Sequence, residues 1–271
     1  MAAFSSKVVL GQYIPAESAV HSLDPRAKII LSIAVMTAIF LTHTITGFIL
    51  WGVLLALLAR TAKIPLRAVI GAAKPVIILI ILTSLLHIFM TPGKIIASVG
   101  PLKITAEGLY LAVTMSLRLA FLVMFASLLT FTTTPARISD GLEGLLSPFS
   151  RLGVPAHEIA MMITIALRFI PTLFEETGRI IKAQKSRGTD FESGNIAKRV
   201  NAYIPVLIPL FVIIFKRAET LAMAMEARGY NGGIGRTRLN PLVWRGSDTA
   251  LFIMMLAVFA AITAAGRLPL P

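Results

Sequence analysis

The feature that most constrains this chain is a series of apolar runs close to the length needed to cross a lipid bilayer. A helix rises about 1.5 Å per residue through about 30 Å of hydrocarbon, so runs of roughly 18–25 apolar residues mark candidate spans. Five runs approach that length: 27–43, 45–59, 75–90, 107–133 and 248–265. The first two are short and joined by His43-Thr44-Ile45-Thr46, which reads as a tight helical hairpin. The third begins Pro75-Val76-Ile77-Ile78-Leu79-Ile80-Ile81-Leu82 and is the plainest. Pro92-Gly93 then breaks the chain before a loop ending near Gly108. Composition agrees, with 56% hydrophobic and 14% charged residues, against about 45–50% and about 25% in soluble domains. A single soluble core could not hide so much apolar surface.

The net charge of +13 is placed in a way that sets an orientation. Lys and Arg collect in cytoplasmic loops. With the N-terminus cytoplasmic, the outer loops carry only Lys94, Lys103 and Arg267, and the inner segments hold Lys7, Arg26, Lys28, Arg60, Lys63, Arg67, Lys74 and everything basic from Arg137 to Arg245. N-in, C-out with five spans is the economical topology. The charge sits between apolar segments, unlike a basic nucleic-acid-binding domain, whose charge lies on a polar fold; no nucleic-acid partner is expected. Met1 to Asp24 lacks the apolar core of a cleavable signal. With no cysteine in the chain, disulfides, thiolate metal sites and cysteine nucleophiles are excluded.

Residues 134–246 contain two further apolar runs, Ile159–Phe174 and Tyr203–Phe215. Read as a sixth and seventh span, they would place Arg179, Lys182, Lys185, Arg187, Lys198 and Arg199 outside, against the charge rule. Arg168 and Pro171 interrupt the first run, and Pro205 and Pro209 the second. Long amphipathic helices at the cytoplasmic face are the preferred reading. Ile159, Met162, Ile163, Ala166, Leu167 and Ile170 form one helical stripe, with Glu175 and Arg179 spaced to pair on the solvated side. Ala218, Leu221, Ala222 and Met225 repeat the stripe, and a shorter helix is expected from Pro135 to about Leu146. The fold class expected is therefore an all-α polytopic membrane protein with about five transmembrane helices and a cytoplasmic-side coupling domain of amphipathic helices. The expected division is 1–133 (spans one to four), 134–246 (coupling helices) and 247–271 (last span).

The most specific local signal is a small repeat. Ala183-Gln184-Lys185-Ser186-Arg187-Gly188 and Ala224-Met225-Glu226-Ala227-Arg228-Gly229 share Ala-x-x-small-Arg-Gly, and the arginines stand 41 positions apart. Glycine after a helix end and a cation near it are each ordinary capping chemistry. Two matching ends on tandem helices go further. A guanidinium is a planar five-donor fork suited to carboxylates, and a small residue before it lets a partner surface approach.

These residues resemble the transmembrane T component of energy-coupling-factor (ECF) transporters, vitamin and metal-ion importers driven by ABC-type ATPases. The likeness spans Leu23-Asp24-Pro25-Arg26-Ala27-Lys28, Ala166-Leu167-Arg168-Phe169-Ile170-Pro171-Thr172-Leu173 and both Arg-Gly ends with their flanks, Thr189-Asp190-Phe191 and Tyr230. Ser186 stands where the family's usual motif has alanine, and the flanks look most like the shared-module type. The resemblance implies a non-catalytic subunit of a prokaryotic cell membrane, lying between two ABC-type ATPases and a separate substrate-binding membrane subunit. Ser186, Arg187, Gly188, Ala227, Arg228 and Gly229 would dock the ATPases. It also implies that the chain binds no cofactor and that its partners hydrolyse ATP.

The sequence has no phosphate-binding Gly-x-x-x-x-Gly-Lys-Ser/Thr. His157-Glu158 begins like a zinc-protease motif, but Met161 stands where its second histidine would be, and His21, His43 and His87 are scattered. No catalytic and no metal site is expected. Arg118 lies inside the fourth run, where a charge costs roughly 2.5–3.5 kcal/mol on insertion scales. Either a substrate contact or a buried tie to helix carbonyls would account for it. The rival function is a self-sufficient secondary transporter or intramembrane enzyme, which needs ionisable groups converging at mid-membrane. Arg118, His87 and a few Ser and Thr are all the sequence offers there.

Overall fold

A computed structural model describes residues 13–99, 102–153, 155–232, 242 and 244–265. Every apolar run is helical. After a single turn, α1 (Ala19–Ser22), come α2 (Pro25–Phe40) and α3 (Ile45–Thr61). Asp24 starts α2 by accepting from the Arg26 amide at 2.8 Å, with Pro25 in the first turn. Thr44 starts α3 in the same way, accepting from the Gly47 amide. The third run opens as α4 (Leu66–Gly71), passes through a 3-10 turn at Lys74–Val76 and continues as α5 (Ile77–Met90). Where a loop is expected, β1 (Ile95–Val99) and β2 (Leu102–Thr105) pair antiparallel, with Ile95 opposite Thr105 and Val99 opposite Leu102. The β-branched residues there suit a strand. Then follow α6 (Ala106–Thr132), α7 (Pro135–Leu146), a 3-10 turn at Ser147–Leu152, α8 (Ala156–Ser186), α9 (Ile196–Ala227) and α10 (Gly246–Ala265). By length and composition, the stretches among the described residues long and apolar enough to cross a bilayer are Leu66–Met90, Ala106–Thr132 and Ala156–Ser186, with Ile45–Thr61 and Asp248–Ile262 shorter. The protein is an all-α polytopic membrane protein.

The chain divides into two compact units, one within Gly11–Leu145 and Leu242–Pro271, the other within Leu146–Pro241. The first is built round an aromatic cluster. Trp51 on α3 is fully buried and packs on Phe125 of α6 (ring centroids 5.7 Å apart) and Phe259 of α10 (5.5 Å). Its indole N–H donates to the Thr42 hydroxyl at 3.0 Å, so the ring carries no unpaired polar atom. Small residues set how close the helices come. A Cβ on Gly108 would stand 2.7 Å from the His87 carbonyl, so α6 crosses α5 there at backbone distance. The Ser84 and Ser116 hydroxyls meet at 2.6 Å farther along the same pair. Gly141 and Gly144 do likewise for α7: added Cβ atoms would meet Pro25 at 2.9 Å and the Arg26 guanidinium at 2.5 Å.

The buried ammonium of Lys28 ties three elements. It donates to the His21 carbonyl at the end of α1 (3.2 Å), to the Thr132 carbonyl at the end of α6 (3.0 Å) and to the Thr133 hydroxyl (3.1 Å). These are carbonyls no amide can reach. At the close of α3, the Lys63 amide bonds to the Arg60 carbonyl (3.0 Å) and the Ile64 amide to the Ala59 carbonyl (2.9 Å). That closure puts Lys63 at φ 56°, a conformation glycine adopts far more readily.

Between α2, α3, α6 and α10 lies a cavity of about 420 Å³, lined by side chains that include Leu31, Val35, Leu57, Leu129, Met255 and Val258. It is open on one side, where the lining residues Leu57 and Met254 are more than half exposed.

Lys28→Met keeps the length of the side chain and removes its three donations. It should lower stability by roughly 2–4 kcal/mol, since two carbonyls and a hydroxyl are left buried. Thermal unfolding in detergent reads this, and an unchanged melting temperature would mean that Lys28 ties nothing.

Candidate functional site

The two Ala-x-x-small-Arg-Gly segments close α8 and α9 in one and the same way. Arg187 is the residue after α8, with φ −86° and ψ 5°; Arg228 is its counterpart after α9, with φ −92° and ψ 12°. Gly188 (φ +86°) and Gly229 (φ +70°) then turn left-handed. The Gly188 amide bonds to the Lys185 carbonyl at 3.0 Å and the Thr189 amide to the Gln184 carbonyl at 3.0 Å. In α9 the Gly229 amide bonds to the Glu226 carbonyl and the Tyr230 amide to the Met225 carbonyl, both at 2.9 Å. Each end is a complete Schellman closure, in which glycine is required by the backbone angle. An added Cβ at either glycine meets nothing within 4 Å, so conformation alone selects it.

The closure leaves both arginines on the surface. Ser186, Arg187, Gly188, Ala227, Arg228 and Gly229 are all exposed. Neither guanidinium has an ion-pair or hydrogen-bond partner among the described residues. Neighbouring charges do pair: Lys185 reaches Glu192 at 3.0 Å. The loop after α8 is folded on itself. Asp190 accepts from the Ser193 hydroxyl and from the Glu192 (2.9 Å) and Ser193 (3.1 Å) amides. Those bonds, the Ser193 hydroxyl first, lower the Asp190 pKa to about 2.

α8 and α9 are fastened to each other at points the sequence reading missed. Glu176 accepts from Arg217 of α9 at 3.0 Å and lies 3.8 Å from Arg179. Arg179 therefore pairs with Glu176 rather than with Glu175, because Glu176 is the carboxylate on the side facing α9. Pro209 has no N–H, which frees the Pro205 carbonyl one turn back. Gln184 of α8 donates to it at 3.4 Å. Phe191 is buried against Tyr203, with ring centroids 5.0 Å apart. The sequence signal for the second tie was the pair Pro205 and Pro209, four positions apart. Of the stripe expected on α9, Leu221 and Met225 are partly buried while Ala218 and Ala222 are exposed. Val206 marks the more buried face, and Ile204, Ile208, Phe211, Val212 and Phe215 form a bare apolar one.

Arg118 lies far along the sequence from these ends, buried on α6. Its Nη2 donates to the Thr42 carbonyl just past the end of α2 at 2.8 Å, and its Nη1 lies 3.4 Å from the Met115 sulfur. Tyr110 secures the same turn by donating to the His43 carbonyl at 2.6 Å. Of the two readings of this arginine, the geometry has the form of the tie to a helix end. No three His, Cys, Asp or Glu side chains cluster among the described residues in a way that could hold a metal.

The family model described as "Cobalt transport protein" (CbiQ) matches residues 16–239. Among curated relatives, a protein of Thermanaerovibrio acidaminovorans is 52% identical over 255 residues, covering 94% of this chain and 95% of its own length. One of Thermosediminibacter oceani is 49% identical, covering 91% and 93%. One of Bacillus subtilis is 45% identical, covering 93% and 96%. All three carry the name energy-coupling factor transporter transmembrane protein EcfT.

Replacing Gly188 or Gly229 with valine forces a β-branched residue to positive φ, at a cost of about 1–2 kcal/mol. Asparagine should be tolerated better. Hydrogen exchange at the Thr189 and Tyr230 amides should speed up in the valine variants and stay near wild type with asparagine. Equal protection in all three would show that the glycines do not set the closure.

Proposed function

Because the chain belongs to the CbiQ family, among the energy-coupling factor transporter transmembrane proteins EcfT, we propose that it links two cytoplasmic ABC-type ATPases to a substrate-binding membrane subunit. The observation that carries this reading is the identical closure of α8 and α9, each presenting an exposed guanidinium, unpaired among the described residues, beside a small residue and a glycine. Arg187 docks into one ATPase and Arg228 into the other, each pairing with a partner carboxylate. Ser186 and Ala227 keep the approach open, and Gly188 and Gly229 set the turn. ATP is bound and hydrolysed by those partners, and the vitamin or metal ion is recognised by the membrane subunit.

Motion enters at the helix ends and passes between α8 and α9 through Glu176–Arg217 and Gln184–Pro205. The bare apolar face of α9 then has a use, since a membrane subunit seated there could be tilted as the helices move. The distribution of Lys and Arg supports an N-terminus in the cytoplasm, α2, α3, α4–α5, α6 and α10 as the five spans, and residues 134–246 on the cytoplasmic side. In this reading α8 lies at the membrane face despite its apolar length, because its last three turns carry Arg179, Lys182 and Lys185 and Arg187 follows directly. Arg118 serves as a structural tie, holding the α2–α3 turn against α6.

Charge reversal tests the docking. With Arg187→Glu and Arg228→Glu together, each site should lose about 30-fold or more in affinity, the weight of one broken interfacial ion pair. The ATPases should then no longer co-purify with the chain. Wild-type recovery of both ATPases with the double variant would sink the proposal.

A further inference from the structure

We propose that the cavity between α2, α3, α6 and α10 is the seat of one acyl chain of an anionic phospholipid, whose headgroup rests on the cations at the end of α3. The lining is aliphatic and aromatic almost throughout, so it offers water few partners. It is open to the surroundings beside Leu57 and Met254, both more than half exposed, so what fills it comes from the medium around the helices. These helices include apolar stretches that a bilayer covers, so the medium around them supplies hydrocarbon.

The few polar groups in the lining do not argue for a polar ligand. Lys28 spends its three protons on the His21 and Thr132 carbonyls and the Thr133 hydroxyl. Thr61 donates to the Leu58 carbonyl and Thr132 to the Leu128 carbonyl, which leaves the half-buried Ser32 hydroxyl as the single polar group of the lining without a bond among the described residues.

The charge of the ligand is read at the cavity's edge. Thr61 and Ala62 line it, and the residues on either side, Arg60 and Lys63, are exposed, as are Arg67 and Lys74 beyond them. No carboxylate pairs with any of the four among the described residues. Lys63 further stands at φ 56°, where glycine would close the helix with less strain. A cation held in that conformation points to a use for its charge, and anionic headgroups attract such clusters.

Trp51 supplies a reporter, because it is fully buried and packs on Phe125 and Phe259, both of which line the cavity. The only other tryptophan of the two is Trp244, which is exposed. The full chain carrying Trp244→Phe would be reconstituted into phosphatidylcholine vesicles doped with either phosphatidylglycerol or phosphatidylcholine brominated on its acyl chains. Brominated phosphatidylglycerol should quench Trp51 at lower mole fraction than brominated phosphatidylcholine. Lys63→Gly, which relieves the backbone, should weaken that preference about fivefold, the weight of one cation near an anionic surface. Leu57→Trp would add a second fluorophore, so Leu57→Phe is the filling variant, and it should reduce quenching by both lipids. Equal quenching by the two lipids, insensitive to both variants, would mean annular lipid only and overturn the proposal. Absence of quenching by either lipid would overturn it too, since a protein segment would then occupy the space.

Discussion

An α-helix leaves its last carbonyls without amide partners, and inside hydrocarbon no water can take their place. This chain meets that constraint in two ways, and they divide its labour. Within the unit that holds the aromatic cluster, side-chain cations from other helices reach the helix ends: Lys28 takes the end of α6, and Arg118 takes the turn after α2. A positive charge placed there also meets the negative end of the helix dipole. In the other unit, the backbone closes itself, through Gly188 and Gly229. Self-closure leaves the arginines beside it exposed and without a partner among the described residues. Lys63 is intermediate, a cation standing in the position glycine usually fills.

The same accounting explains how motion at the end of one of these helices reaches the other in the proposed mechanism. Proline inside a helix frees a carbonyl and removes an amide. α9 contains two, and the carbonyl freed at Pro205 is taken by Gln184, three residues before Arg187. The end of α8 proposed to dock is thus hydrogen-bonded to the proline-containing part of α9, and Glu176 adds an ion pair about two turns earlier.

Much of this was legible in the sequence. The apolar runs located the helices because a bilayer demands length, and length is visible without knowing any partner. The paired Arg-Gly ends were visible because a left-handed backbone angle leaves a one-residue signature. The β1–β2 hairpin was not, since two short strands of mixed polarity carry little period between apolar helices. Pairings across helices were not either. Glu175 and Glu176 are equivalent in spacing rules to within one residue, and only the position of Arg217 decides between them. The role of Arg118 stayed divided for the same reason: its acceptor, the Thr42 carbonyl, is 76 positions away.

The central claim is that ATP-driven motion enters through the ends of α8 and α9, and the distance between those helices reads it most directly. The chain has no cysteine, so spin labels can be placed at Lys182→Cys and Met223→Cys, both exposed and outside the docking residues. In the complete transporter in vesicles, with cysteine-free partner subunits, the label-to-label distance should shift when ATP binds and return after hydrolysis. A displacement of about 5 Å, one helical turn, is the scale such switches use. An identical distance distribution with and without ATP, in vesicles that still import substrate, would contradict the account.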